Sequence, residues 1–236
     1  MNSGLDIIFD LETDGLLPDV TKVHCLGMTV DGAMAGQVFA NVEPYDCLED
    51  ALELMSRANS LTGHNIIGYD LPVLKKLLGW TPPKHVKIID TMILSRLIHT
   101  NLYEEDIKQK TIPLKLYGRH SLEAWGERLG IKKAKLDGED VWDKFTPEMA
   151  DYCVQDVSVT SHLKAYFESL EYSEEATKLE HEFAHVIQRQ VDHGFAFDVK
   201  KGQELYVSLL KRQEELGKGL RDGFGSWYVS DGELTP

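Results

Sequence analysis

Asp10 and Glu12 stand two residues apart in FDLETDG, directly after the apolar run Ile7-Ile8-Phe9. On a strand that spacing turns both carboxylates to one side. Like charges held beside a core are costly unless a cation neutralises them. Further acids sit in comparable settings. Asp70 closes GHNIIGYD, where an apolar stretch meets a helix, and Tyr152 and Asp156 lie four apart in MADYCVQDVSVT, on one helical face. Each has a plain structural reading: Asp10 as a turn former, Asp70 as a helix N-cap, Tyr152 with Asp156 as a surface pair. Four acids and a tyrosine, each emerging from an apolar element, also suit a shared purpose. Oxygen-only ligands select hard cations such as Mg2+ or Mn2+. Two such ions a few ångströms apart serve in-line attack on phosphodiesters.

Such residues need a scaffold to bring them together. Asp6–Leu11, Val23–Val30 and Gln37–Asn41 read as strands, separated by a loop with Gly15, Pro18 and Asp19 and by the turn Asp31-Gly32. That close spacing predicts an antiparallel meander. Leu48–Ala58 reads as an amphipathic helix with Leu48, Leu52 and Met55 on one face. Leu61–Ile66 (strand), Leu71–Leu78 (helix), Val86–Ile89 (strand) and Thr91–Ile98 (helix) follow, an order that predicts an α/β mixed sheet flanked by helices. From Asn101 to Gly118 the pattern loosens into a charged loop near Lys108, Lys110, Lys115 and Arg119. With Tyr103 and Tyr117 among them, the loop suits a solvated insertion or a nucleic-acid contact. Ser121 caps a helix that Gly130 closes, and Thr146-Pro147 opens another that runs to about Leu170. Two more helices cover about Ser173–Asp192 and Lys200–Gly223, with Gly194 between them. The expected organisation is one domain over 1–172 and a helical segment over 173–236.

Bulk properties narrow the function classes. In 236 residues, 42% hydrophobic and 27% charged, a sizeable core is expected. Charge interrupts every apolar run before it reaches membrane-span length. MNSGLDIIFD has no basic n-region, and three cysteines without a CxxC pair suit free thiols in a reducing, cytoplasmic setting. A net charge of -14 argues against direct nucleic-acid binding by a basic surface. A metal enzyme escapes that objection, because its acids recruit cations and the cations hold the phosphate.

A rival motif lies further on. His181-Glu182-Phe183-Ala184-His185 matches HExxH, in which two histidines bind zinc and the glutamate is a general base. Gln188 stands where the longer metzincin pattern has glycine, although Glu204, Glu214 and Glu215 are in range as a third ligand. A zinc metallopeptidase is therefore one alternative. A non-catalytic replication scaffold is another, against which stands the retention of all four acids. GKGLRDGFG follows a helix instead of a strand and does not have the spacing of a phosphate loop.

FDLETDG, GHNIIGYD and YCVQD resemble, in order and spacing, the three exonuclease motifs of the DEDDy group, whose fold is ribonuclease H-like. VTKVHC, DTMILSRLIHTNL, HSLEAWGERLG and FGSWY resemble the N-terminal part of T-odd bacteriophage DNA polymerases of family A, from about Ile8 to Tyr228. The resemblance implies a proofreading 3′–5′ exonuclease that removes nucleotides from DNA 3′ ends with two divalent cations, Mg2+ or Mn2+. It implies that Asp10 bridges both ions, that Glu12 and Asp156 hold the one carrying the attacking water, and that Asp70 holds the second. Tyr152 would aim that water with Glu12 as its partner. Leu11 and Thr13 would contact the terminal nucleotide and Asn65 the substrate backbone. The implied partners are a single-stranded DNA 3′ end and a polymerase domain, with 173–236 as the linker and start of its thumb. Palm and fingers signatures do not occur in the sequence, so no polymerisation by this chain alone is expected.

Overall fold

A computed structural model describes residues 5–30, 33, 36–131, 136 and 141–225. Its centre is β1 (Asp6–Thr13), the middle strand of a sheet ordered β3-β2-β1-β4-β5. β2 (Val23–Val30) and β3 (Gln37–Phe39) continue antiparallel on one side, as their short connections require. β4 (Ser60–Gly63) and β5 (Lys87–Asp90) run parallel to β1 on the other. Parallel neighbours need crossovers. α1 (Leu48–Ser56) precedes β4, and α2 (Asp70–Leu78) lies between β4 and β5.

The alternation along β1 sorts its residues into two layers. Ile7, Phe9 and Leu11 join Leu26, Met28, Ala51, Met55, Val73 and Leu74 in one core that covers α1 and α2. The other register set includes Asp10, which pairs with Gly27 on β2. A Cβ on Gly27 would lie 2.8 Å from the Cys153 sulfur. Glycine therefore lets α6 (Pro147–Glu168) come down onto the sheet beside Asp10. That helix opens as expected, with the Thr146 side chain accepting the Met149 N–H and proline in the first turn.

Two expected boundaries move. The strand read as Leu61–Ile66 ends at Gly63, because the chain turns there: Asn65 has φ 68°, and a Cβ on Gly63 would meet Ile66 Cγ2 at 2.3 Å and the Phe9 oxygen at 2.9 Å. The expected loop from Asn101 to Gly118 contains α4 (Leu102–Gln109) and a 3-10 turn at Leu114–Leu116. Leu102 and Asp106, four apart, are both buried. Asp106 accepts from Arg128 Nε at 3.0 Å, Arg128 Nη2 at 2.7 Å and the Gly118 N–H at 2.8 Å. Burial pushes the Asp106 carboxyl up, but the Arg128 guanidinium and the Gly118 N–H hold it below its ordinary range. This ion pair ties α4 to α5 (Leu122–Arg128), and a hydrophobic cluster including Leu94, Leu102, Trp125, Val159 and Phe167 joins α3 (Thr91–Ile98), α4, α5 and α6.

α7 spans Glu174–His193 and α8 Val199–Phe224. The chain divides into two compact units, Met1–Val191 and Asp192–Pro236. Most of α7 thus belongs with the sheet, whereas the sequence pattern put a boundary near 172. The reason is His181, buried and bonded to the end of β5. In the second unit α8 is capped by the Asp198 side chain, which accepts the Lys201 N–H at 3.0 Å. The Asp31-Gly32 turn and the end of the FGSWY stretch lie outside the described residues. Cys25, Cys47 and Cys153 are free thiols, and no described helix is long and apolar enough to cross a membrane.

Candidate metal centre

The expected site residues come from three elements. β1 supplies Asp10 and Glu12 in its last turn before the loop, with Glu12 buried and Asp10 half-buried. From α6, the Cys153 thiol lies 3.6 Å from the Asp10 carbonyl oxygen. One candidate ligand atom from each of Asp10, Glu12 and Cys153 lies within 4.8 Å of the others. A hydrogen bond with the free Cys25 thiol, burial and the neighbouring carboxylates push the Cys153 thiol well above its ordinary range. Its environment favours the neutral thiol beside the acids. Asp156 is buried one helical turn further along α6, and Tyr152 immediately precedes Cys153. The Tyr152 ring stands edge-on to Trp142 with centroids 6.3 Å apart, and the Trp142 carbonyl accepts from His24 Nε2 at 2.7 Å.

Asp70 enters from the other layer. It is the first residue of α2, after Tyr69 at the cap position, so it does not act as the N-cap. Pairing of β1 with β4 covers only Asp6 to Ile8. Beyond it, the Leu11 N–H, between Asp10 and Glu12, lies close enough to the Asp70 carboxyl to favour its charged form. Asp70 is 3% exposed, and burial raises its pKa to about 7, helped by the nearby Asp90 and opposed by the N–H groups of Leu11 and of Asp70 itself. The influences on this carboxyl include no cationic side chain. A cation beside a buried acid so placed would favour its charged form. The donor set is carboxylate oxygen, which matches hard divalent cations.

The three remaining expected residues are placed differently. Leu11 is packed in the core at 6% exposure. The Thr13 hydroxyl donates to the Gly15 carbonyl at 3.1 Å and meets the Tyr69 hydroxyl, which itself donates to Gly15 O at 2.5 Å. Next to it, Asp14 accepts from the Thr21 N–H, the Thr21 hydroxyl and the Lys22 N–H. Slight burial opposes these bonds, which hold its carboxyl at about 2 and fix the loop after β1. Asn65 is exposed, with its N–H bonded to Asp90.

The HExxH pair does not assemble a metal site. His181 Nε2 accepts the Asp90 N–H at 2.8 Å, and Nδ1 donates to the Thr177 carbonyl at 2.8 Å. Both ring nitrogens are engaged by backbone. Among the described residues, the one cluster of three potential ligands is Asp10, Glu12 and Cys153.

Sequence reasoning passed over Asp90, Gly27 and Cys153. Asp90 opens DTMILSRLIHTNL, and an acid between a strand and a helix is a capping signal. Gly27 interrupts the apolar strand VHCLGMTV, which signals a close approach of another backbone.

The chain is 36% identical to the DNA-directed DNA polymerase of Escherichia phage T7 over a 270-residue alignment that takes in 96% of this chain and 38% of that protein. It is 34% identical over the same span to the DNA-directed DNA polymerase of Enterobacteria phage T3. The chain thus spans about two fifths of the length of these relatives. Among solved structures, Brucella melitensis NrnC bound to pGG shares the fold, with a TM-score of 0.51, 19% identity, and coverage of 80% of this chain and 81% of that one. The RNase H superfamily model matches residues 7–168, well over half of the sequence, and the chain belongs to that superfamily.

Proposed function

We propose that this chain is a divalent-metal-dependent 3′–5′ exonuclease that trims DNA 3′ ends and proofreads for a phage-type family A polymerase. The observation that carries the reading is the buried Asp70 carboxyl, raised to about 7 and close enough to the N–H between Asp10 and Glu12 to be influenced by it. That proximity relates the acid of α2 to those of β1, and on α6 the buried Asp156 follows by three residues Cys153, whose thiol lies 3.6 Å from the Asp10 carbonyl oxygen. Similarity to the phage DNA polymerases supports DNA as the substrate and a polymerase domain as the partner.

Asp10, Glu12, Asp70 and Asp156 would hold two Mg2+ or Mn2+ ions. When bound, the pair lowers the pKa of an attacking water and stabilises charge at the leaving 3′ oxygen. The chain's own part is orientation. Tyr152, held by Trp142, directs its hydroxyl to the attacking water and leaves Glu12 as the second acceptor. Asn65, exposed at the left-handed turn, contacts the substrate backbone. Leu11 and Thr13 shape the wall against the last nucleotide, Thr13 with its methyl group, since its hydroxyl serves the turn.

Single-stranded DNA labelled separately at each end tests the proposal. Stepwise shortening from the 3′ end with Mg2+ or Mn2+, abolished by chelator, is expected. Shortening from the 5′ end would refute the polarity. Cleavage of a peptide with zinc, and none of DNA, would establish the metallopeptidase instead.

A further inference from the structure

Asp90 forms more bonds than a helix cap requires. Its carboxylate accepts the Met92 N–H at 3.0 Å, which is an ordinary N-cap bond at the start of α3. It also accepts the Asn65 N–H at 2.9 Å and the Ile67 N–H at 3.1 Å, both in the loop after the neighbouring strand β4. Serine, threonine or asparagine would satisfy the cap. Receiving three N–H groups on two oxygens requires a side chain with acceptors only, which is an ionised carboxylate. Such a group is expensive at 2% exposure, and burial indeed raises its pKa despite the three N–H donors. The cap alone does not explain that expense.

The next residue holds the same loop at its beginning. The Thr91 hydroxyl donates to the Gly63 carbonyl at 3.1 Å and receives His64 Nδ1–H at 2.9 Å. Gly63 to Ile67 is therefore gripped along its length from α3. The loop in turn sets the start of α2: Gly68 N–H and Tyr69 N–H donate to Asn65 O at 3.1 and 3.0 Å, and Leu71 N–H donates to Ile66 O at 2.9 Å. Asp70 lies inside that turn. Behind Asp90, His181 accepts its backbone N–H at 2.8 Å. The Thr177 carbonyl accepts the Nδ1 proton, which leaves Nε2 as the acceptor in this contact.

We infer that Asp90 is a positioning residue for the metal centre: through Asn65 and Ile67 it fixes the turn that aims Asp70 at β1, and His181 of α7 anchors Asp90 in turn. The inference rests on the nuclease reading for its consequence, though not for its geometry. The histidine that suggested zinc is thereby part of the carboxylate site, two steps removed from the acids.

Asp90→Asn is the nearest isostere, with one acceptor oxygen and an NH2 group that faces an N–H. Asp90→Ser keeps only the cap. In the full chain, both variants are expected to raise amide exchange at Asn65 to Tyr69 about tenfold or more, while exchange across β1 and β2 stays as in the parent. Thermal stabilisation by Mn2+ should shrink to less than half of the parent's shift. In nuclease assays kcat should fall about tenfold or more with KM within about twofold, the pattern of lost transition-state aim. Parent-like loop exchange and a parent-like Mn2+ shift in both variants would overturn the inference. Should neither variant fold, His181→Leu takes their place: faster loop exchange and a reduced Mn2+ shift support the chain of contacts, and unchanged values refute it. The two readings fail separately. A parent chain that neither binds Mn2+ nor cuts DNA ends the nuclease reading, while loop exchange in the variants still decides whether Asp90 grips the turn.

Discussion

The C-terminal end of β1 and the middle of α7 both carry metal-binding signatures, and the structure treats them oppositely. At β1, Asp10 and Glu12 share a cluster with the Cys153 thiol, and Asp70, buried near the Leu11 N–H that lies between them, is raised to about 7. On α7, HExxH places two histidines on one helix, yet both nitrogens of His181 are satisfied by backbone groups. A ligand type at a given spacing is thus a weaker criterion than what its polar atoms already do. Where burial leaves charge in need of a counter-ion, a site is built. Where every donor and acceptor has a partner, the motif is structure.

The sharpest way to break this comparison is to remove an acid. Asp10→Ala takes away the ligand proposed to be shared by both ions, and the cleavage rate should drop by about a thousandfold or more, equivalent to about 4 kcal/mol. Single-turnover cleavage of labelled single-stranded DNA measures it. A loss below tenfold would remove Asp10 from the centre.

Next in size is a pH effect on stability without metal. The raised folded-state pKa of Asp70, about 7 against 3.8, means that the folded state binds the extra proton between those values. Its contribution is complete below pH 3.8 and lost as pH rises to about 7, with a ceiling of about 4 kcal/mol for a shift of this size. Asp90 is raised in the same direction. Asp14 and Asp106 are lowered, so their contribution is complete above the ordinary carboxylate range and is lost only as pH falls below it. Thermal unfolding in chelator should therefore show a lower Tm at pH 7.5 than at pH 5, and Mg2+ should stabilise far more at pH 7.5. A Tm without this fall would mean that Asp70 is already neutralised by the protein.

Much of this arrangement is legible in the sequence because local rules determine it. The alternation in Ile7 to Glu12, the Thr146-Pro147 helix start and the tight connections before β3 each reflect an interaction within a few residues. The misread parts depend on distant partners. Leu102 to Gln109 reads as a charged loop because its helix is held by Arg128, more than twenty residues away. The attachment of α7 by one histidine to a strand about ninety residues earlier is hidden too, since no periodicity in either segment records that bond. The grip of Asp90 on Asn65 and Ile67 is equally hidden, since an aspartate before a helix looks complete as a cap.

A smaller effect distinguishes aim from assembly. Tyr152→Phe keeps the ring against Trp142 and removes one hydroxyl bond, a loss of about 1–3 kcal/mol, or about ten- to a hundredfold in rate. DNA binding, measured in Ca2+ to prevent turnover, should be nearly unaltered. Equal damage from Tyr152→Phe and Asp10→Ala would show that the ligands are wrongly apportioned between β1 and α6.

The smallest expected effect bears on the other half of the comparison. His185 is exposed on α7, four residues after the histidine that holds Asp90. For zinc to bind the pair, His181 Nε2 would have to release the buried Asp90 N–H, and an amide left without an acceptor costs about 1–3 kcal/mol. A single exposed histidine does not offset that, so the motif should be silent. His185→Ala is therefore expected to change the nuclease rate by less than about twofold and stability by no more than about 0.5 kcal/mol, as for other surface substitutions. Zinc should shift the unfolding temperature of parent and variant alike, because whatever zinc the chain takes up would go to the carboxylates. A zinc stabilisation that disappears specifically in His185→Ala would mean that His181 leaves Asp90 for metal, and the division between a built site and a satisfied motif would fail at the residue that joins them.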